Sequence, residues 1–231
     1  MAFTLLLRFA GVLQSWGTDS RFEIRRTEMI PTKSGIVGFL AAALGRSRDE
    51  EINDLANLKI GVRADQPGTV ISDFHTARKD EKTSYVTNRY YLSDAAFLIG
   101  IESDSEQQLK ELADAVRSPA FPLYLGRRSC VPEIPIVKEI LSMPLEDALE
   151  TYPYIGSQKH EPEIFHIYLE GNSNGIVRKL LDQPVTFDFH HRKYEERQIS
   201  EIVISNKNKE AEEAAQYYQT EHDILAALEG L

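Results

Sequence analysis

The chain has 231 residues, 42% hydrophobic and 27% charged, and its 26 Lys and Arg against 36 Asp and Glu give a formal net charge of −10. That balance fits one or two folded domains, and no apolar run reaches the ~20 residues of a membrane helix. The lone Cys130 excludes an intrachain disulfide and a cysteine-clustered metal site, and Met1–Phe9 is too short and too weakly basic for a signal peptide, so the expected location is cytoplasmic.

Ala2–Phe9 reads as a strand, being apolar almost throughout. Gly11–Gly17 reads as a loop that carries Trp16. A helix follows Pro31: Thr32 or Ser34 can cap it, Ile36, Val37, Leu40, Ala41 and Leu44 recur at helical spacing, and Gly45 stops it. Asp49–Ala56 suits a short second helix. Leu58–Ala64 and Ala95–Ile101 read as strands, separated by about thirty polar residues with weak strand patterning near Val70–Phe74 and Thr83–Tyr91. Ser105–Arg117 is an amphipathic helix with Leu109, Leu112, Ala113 and Val116 on one stripe. Phe121–Leu125 reads as a fourth strand, ended by Gly126.

This order is the split βαβ pattern. The predicted class is α+β: a ferredoxin-like (RRM-like) βαββαβ domain over residues 1–130, with a protruding hairpin inserted at about 66–93. Residues 131–205 form a β-rich region, with a short helix at Pro144–Tyr152, strands at Ile164–Leu169, Val185–Phe189 and Arg197–Ser205, and a turn at Gly171–Gly175. Residues 206–231 are Ala- and Glu-rich and predict a terminal helix.

As a total, −10 argues against a nucleic-acid partner, because phosphate binding needs Lys and Arg. The distribution argues otherwise. Residues 1–48 carry seven basic and three acidic side chains, whereas residues 91–170 carry six and fourteen. Charge acts within a Debye length of roughly 8–10 Å, so a basic face on an acidic chain suffices.

Candidate contacts follow from residue type and place. Trp16 in its glycine-flanked loop is either a sheet-edge side chain or a stacking platform for a base. Lys33 and Ser34, in TKSG, either belong to an ordinary helix cap or hold one phosphate; the upstream glycine of a phosphate loop is missing. Arg25, Arg26, Arg46 and Arg48 lie in predicted loops. The insertion mixes Arg78, Lys79, Lys82 and Arg89 with Tyr85, Tyr90 and Tyr91, a composition suited to backbone and splayed bases. Arg127 and Arg128 follow the predicted fourth strand behind Gly126. No spacing supports Cys130 with His75, His160 or His166 as a nucleophile–base pair. His190 and His191, if in a strand, point to opposite faces and share no metal. No cofactor or metal fingerprint is present. A metal-independent ribonuclease would need an acid and a base near a 2′-hydroxyl, such as His75 with Tyr85 or Tyr90.

Five ordered blocks, LQSWG (13–17), PTKSGIVGFLAAALG (31–45), DFHT (73–76), YLSDAAF (91–97) and YLGRRSCVP (124–132), resemble the Cas-five family of RAMP proteins, at its type I-E CRISPR Cascade branch. The resemblance covers residues 2 to about 132 strongly and the later β-rich region loosely. It implies an RRM-like domain with a thumb, and a non-catalytic subunit that caps the 5′ handle of the CRISPR RNA. It also implies neighbours: the backbone subunit CasC, a large subunit that reads the motif beside the target, and target DNA near that end of the complex. Carried onto this sequence, it places Trp16 near the handle, Lys33 and Ser34 on phosphate, Arg78, Lys79, Lys82 and Arg89 on the thumb, and Arg127 and Arg128 at the groove. The cutting relatives use a Tyr, Lys and His set that has no match here. The alternative function is processing of repeat RNA.

Overall fold

The structure is a computed structural model that describes residues 1–18, 20–21, 24–78, 84–171 and 175–206. The expected terminal helix, the middle of the Gly171–Gly175 turn, Lys79 and Lys82 lie outside the described residues. None of the described helices is long and apolar enough to cross a membrane.

Strand β1 (Phe3–Gln14) lies between two partners, and its ladder with the first of them carries it past the expected Phe9. One is β6 (Ser84–Ser103), paired from Phe3↔Ser103 to Gln14↔Leu92; the other is β7 (Val137–Leu141). Both faces of β1 are covered, which explains its unbroken apolar run. Leu5, Leu7 and Phe9 meet the helices α1 (Lys33–Ala43) and α3 (Glu106–Arg117), while Leu6 joins a second cluster under α4 (Leu145–Thr151). Thr32 caps α1, its Oγ1 accepting from the Gly35 N–H at 3.2 Å, and Ser105 caps α3 through Gln108.

Beyond β6 the sheet continues through β4 (Lys59–Gln66), β8 (Ile164–Glu170), β10 (Lys193–Ser205) and β9 (Ile176–Thr186), each antiparallel to its neighbour. The short helix α2 (Asn53–Ala56) precedes β4. Residues 131–205 thus add strands to both sides of one sheet: β7 beside β1, and β8 beside β4. The segment between β4 and the core part of β6 is an antiparallel hairpin, with β5 (Thr69–Arg78) paired to Ser84–Ser93 of β6.

Two strand expectations are corrected. Phe121–Leu125 is not a strand: the N–H groups of Ala120 and Phe121 donate to the Ala43 and Ala42 carbonyls, so this stretch closes the end of α1. The strand beside β1 comes later, at β7. The strand placed at Val185–Phe189 is β9, Ile176–Thr186. It is an edge strand with half-exposed faces, which blurs its alternation and tolerates Pro184.

Two polar networks hold the layers. Arg63 and Asp65 are fully buried and paired through two hydrogen bonds. Arg63 also donates to the carbonyls of Leu149, Tyr152 and Pro153 at the end of α4, Asp65 accepts from Ile155 N–H, and Phe165 lies under the guanidinium at 4.3 Å. The helix α4 sits low because Gly61 and Gly100 form a cross-strand pair beneath it; a Cβ on Gly100 would lie 2.4 Å from Leu145. At the other face, Asp182 accepts from the Lys33 N–H at 2.8 Å and from Arg197, while Glu170 takes Lys33 Nζ and Arg197.

Replacing Arg63 by Ala leaves Asp65 uncompensated and three carbonyls orphaned; denaturant unfolding is expected to show a loss of about 3–5 kcal/mol. Asp182→Ala removes two of the hydrogen bonds of Arg197, leaving it only Glu170, and takes the acceptor from the Lys33 N–H at the first turn of α1, with an expected loss of about 3 kcal/mol. Lys33→Met keeps the buried stem and is expected to cost less, about 1 kcal/mol.

Candidate nucleic-acid interface

The hairpin register sorts its side chains into two faces. Asp73, His75, Tyr85, Thr87, Arg89 and Tyr91 share one; Ser72, Phe74, Arg78, Val86 and Tyr90 share the other. Beside the first face runs β3 (Ile24–Arg25), which is linked to the two-residue β2 (Ser20–Arg21) and pairs in parallel with Asn88 and Arg89. That pairing sets Arg25 beside Arg89.

Arg127 enters from the turn after α3. Its Nη2 donates to the Arg25 carbonyl at 3.0 Å, and its Cζ stands 4.7 Å from the Tyr91 ring centre. The turn is held in place by backbone: Ser15 N–H donates to Leu125 O, Leu125 N–H to Cys130 O, and Cys130 N–H to Arg127 O. Gly126 has φ 85°, and a Cβ there would fall 1.8 Å from Ser15 O, so only glycine fits. Arg127 is thereby seated on Tyr91 at the root of the hairpin, with Arg89 on the same face and the Arg25 backbone beside both.

Two guanidinium nitrogens of this cluster, Arg89 Nε and Arg127 Nη1, are buried with no hydrogen-bond partner among the described residues. A buried donor left unpaired costs about 1–3 kcal/mol. An anion with several acceptor oxygens supplies the missing partners, and a phosphodiester is such an anion.

Other expected contacts are placed differently. Trp16 is 1% exposed. It stacks on Phe9 at 5.8 Å between ring centres, donates from Nε1 to Gln14 Oε1, and presses on Gly35, where a Cβ would lie 2.8 Å from its ring. It is a core side chain and not a stacking platform, and the glycine of TKSG is what makes room for it. Lys33 is 3% exposed and committed to Glu170. The anion at its helix N-terminus is the Asp182 carboxylate, so the phosphate reading of Lys33 is corrected. Ser34 is half-buried beside Thr32 Oγ1.

Arg46 grips Asp54 with two hydrogen bonds and the Glu51 carbonyl with a third, which fastens the loop between α1 and α2. That bonding holds the Asp54 carboxyl below its ordinary range. Arg46 is thereby withdrawn from the contact set. Arg26, Arg48, Arg78 and Arg128 are exposed.

His75 Nε2 lies 2.6 Å from Asp73 Oδ2. Tyr85 shares its face, but Tyr90 is on the opposite one. Cys130 is buried, and burial pushes its thiol up, away from nucleophilic use. His166 is held by Glu201 at 2.9 Å. Among the described residues no group of three His, Cys, Asp or Glu is arranged to hold a metal.

Sequence reasoning missed the acidic partners Glu170 and Asp182, which lie 137 and 149 positions from Lys33. It also missed the stacking of Arg127 on Tyr91, for which a two-residue β3 left no periodic signal.

Comparison with known proteins finds relatives along most of the chain. The family described as CRISPR-associated protein (Cas_Cas5) matches residues 4–200. The CRISPR system Cascade subunit CasD of Escherichia coli (strain K12) is 35% identical over 147 residues, a match spanning 54% of this chain and 66% of that protein. A Cas protein known from a crystal structure is 43% identical and superposes with a TM-score of 0.71, over 88% of this chain and 96% of that one. A chain of a CRISPR RNA-guided surveillance complex is 31% identical, with a TM-score of 0.74 over 87% and 90%. With the family match running through most of its length, the chain belongs to the CRISPR-associated Cas5 family, together with the Cascade subunit CasD.

Proposed function

We propose that this protein is a non-catalytic subunit that binds and caps the 5′ handle of a CRISPR RNA and helps assemble an antiviral surveillance complex. The observation that carries the reading is the pair Arg89 and Arg127 on the face of Tyr91, beside Arg25, with a buried guanidinium nitrogen on each of the two that lacks an acceptor. Arg78 farther along the hairpin, with Arg26, Arg48 and Arg128, supplies weaker, exposed charge along the RNA; Lys79 and Lys82, which lie outside the described residues, join this set by sequence alone. The strand order β7-β1-β6-β4, all antiparallel, with α1 and α3 as crossovers, supports a ferredoxin-like core whose hairpin serves as the thumb. The neighbours in this reading are the CasC backbone subunit and the large motif-reading subunit, with target DNA close to that end and the cytoplasm as the site of action.

The test is anisotropy of a labelled handle RNA with the full chain, alone and with its complex partners. Arg89→Ala with Arg127→Ala is expected to weaken binding tenfold or more in ~0.15 M salt, and to flatten the salt dependence by about 0.7 in log–log slope for each phosphate no longer neutralised. Unchanged affinity and slope overturn the reading.

A second reading, metal-independent processing of repeat RNA, is favoured by the close His75–Asp73 pair with Tyr85 on the same face. Purified chain is expected to leave repeat RNA intact during long incubation in chelator. Cleavage that disappears in His75→Ala would exchange the two readings.

A further inference from the structure

The turn between β9 and β10 reads Phe187-Asp188-Phe189-His190-His191-Arg192, and it is not part of the arginine cluster. Phe187 and Tyr194 anchor it: their ring centres are 6.5 Å apart, and Phe187 lies 3.8 Å from where a Cβ on Gly38 of α1 would be. Between these anchors the chain turns sharply. Asp188 N–H donates to Thr186 Oγ1, and the Asp188 carboxylate accepts the N–H groups of both His190 and His191. The histidine pair is therefore in a turn and not in a strand, which corrects the geometry considered from sequence.

The consequence is an outward-facing set. Phe189 is 77% exposed, with the His190 ring edge-on to it at 5.4 Å. His190, His191 and Arg192 are exposed as well. Asp188 Oδ1 also lies 3.7 Å from His191 Nδ1, so the carboxylate faces His191 and leaves Arg192 as the unpaired charge of the turn. Arg192 has no carboxylate partner among the described residues, unlike Lys33, Arg46, Arg63 and Arg197. A phenylalanine so exposed gains little from packing within the chain, but it offers a flat face beside the Arg192 guanidinium and two imidazole rings that can donate hydrogen bonds.

We propose that this turn is a second contact for single-stranded nucleic acid, with a base stacked on Phe189 and the adjoining phosphates met by Arg192 and the two histidines. Stacking on one aromatic ring with cationic neighbours is the usual sequence-tolerant way to hold an unpaired strand. One exposed ring is too little apolar surface to seat on a membrane or to form the buried centre of a protein interface. The site is separate from the arginine cluster. Ser200 of β10 is level with Gly100 of β6 through Leu169 and Gly61, so β10 enters the turn at its end away from the hairpin ladder, and the edge strands curl over α1. Phe187 meets Gly38, one helical turn from the Gly35 that packs on Trp16 beside Gly126, so the two sites lie within roughly 35 Å of each other. The inference does not depend on the role assigned to the hairpin.

The experiment uses the full chain carrying Arg89→Ala and Arg127→Ala, so that residual binding reports on the turn. The probes are fluorescent fifteen-nucleotide oligo(dT) and oligo(rU), each also offered as a duplex with its complement. Adding Phe189→Ala or Phe189→Leu is expected to weaken binding of the single strands about tenfold, Phe189→Trp to retain it, and Arg192→Glu to weaken it comparably. Loss confined to oligo(dT) or to oligo(rU) names the strand the turn takes. Retention of binding by Phe189→Leu overturns stacking. Indifference of both single strands to every Phe189 and Arg192 variant, also in the chain with Arg89 and Arg127 intact, overturns the site. Handle-RNA binding that survives Arg89→Ala with Arg127→Ala counts against the hairpin reading and leaves this one to be judged by the Phe189 series.

Discussion

The whole arrangement rests on one strand being continuous. Ser84–Ser103 is a single β6 of twenty residues. Its second half is the middle of the buried sheet, hydrogen-bonded to β1 and β4; its first half is one arm of the hairpin, bonded to β5 and β3. A strand held by ladders on both sides does not swivel, so the hairpin leaves the core at an angle fixed by the sheet. Arg89 and Tyr91 inherit their positions from that strand, and Arg127 is brought to them by a turn docked on Ser15, just past the end of β1. The arginine cluster therefore stands on a rigid scaffold even though its members come from three separate parts of the chain.

Charge in this protein divides into committed and uncommitted cations. Lys33, Arg46, Arg63 and Arg197 each face a carboxylate at close range, and two of them also close off helix-end carbonyls or loop backbone. Lys33, Arg63 and Arg197 neutralise acidic groups that the fold itself covers, while Arg46 pins the half-exposed Asp54. Arg89 and Arg127 have no such carboxylate. The total of −10 hides this distinction, because it weighs a buried structural arginine the same as one that lacks an acceptor.

Local signals were legible in the sequence, and remote ones were not. The helices α1 and α3 announced themselves by spacing and by Thr32 and Ser105 as caps. The hairpin showed itself as a polar segment too long for a plain loop. Phe121–Leu125 misled because a short apolar run looks alike whether it joins a sheet or folds back over a helix end. Trp16 and Lys33 misled for a deeper reason. Both are residue types that suit RNA, and what decides their use is a neighbour far along the chain: Phe9 and Gly35 for one, Glu170 and Asp182 for the other. The contact of Arg127 with Tyr91 is of the same kind, and only the assembled loop reveals it.

Ser15 joins three segments at one point. Its N–H reaches Leu125, its hydroxyl donates to the Tyr90 carbonyl at 3.0 Å, and its own carbonyl lies against Gly126. Mechanically this is a weld between the hairpin root, the end of β1 and the arginine turn. A load on the hairpin would reach all three together, so the hairpin is a lever arm fixed to its base and not a tether. A displacement of its root is passed to the Arg127 turn through the backbone of Ser15 and its hydroxyl.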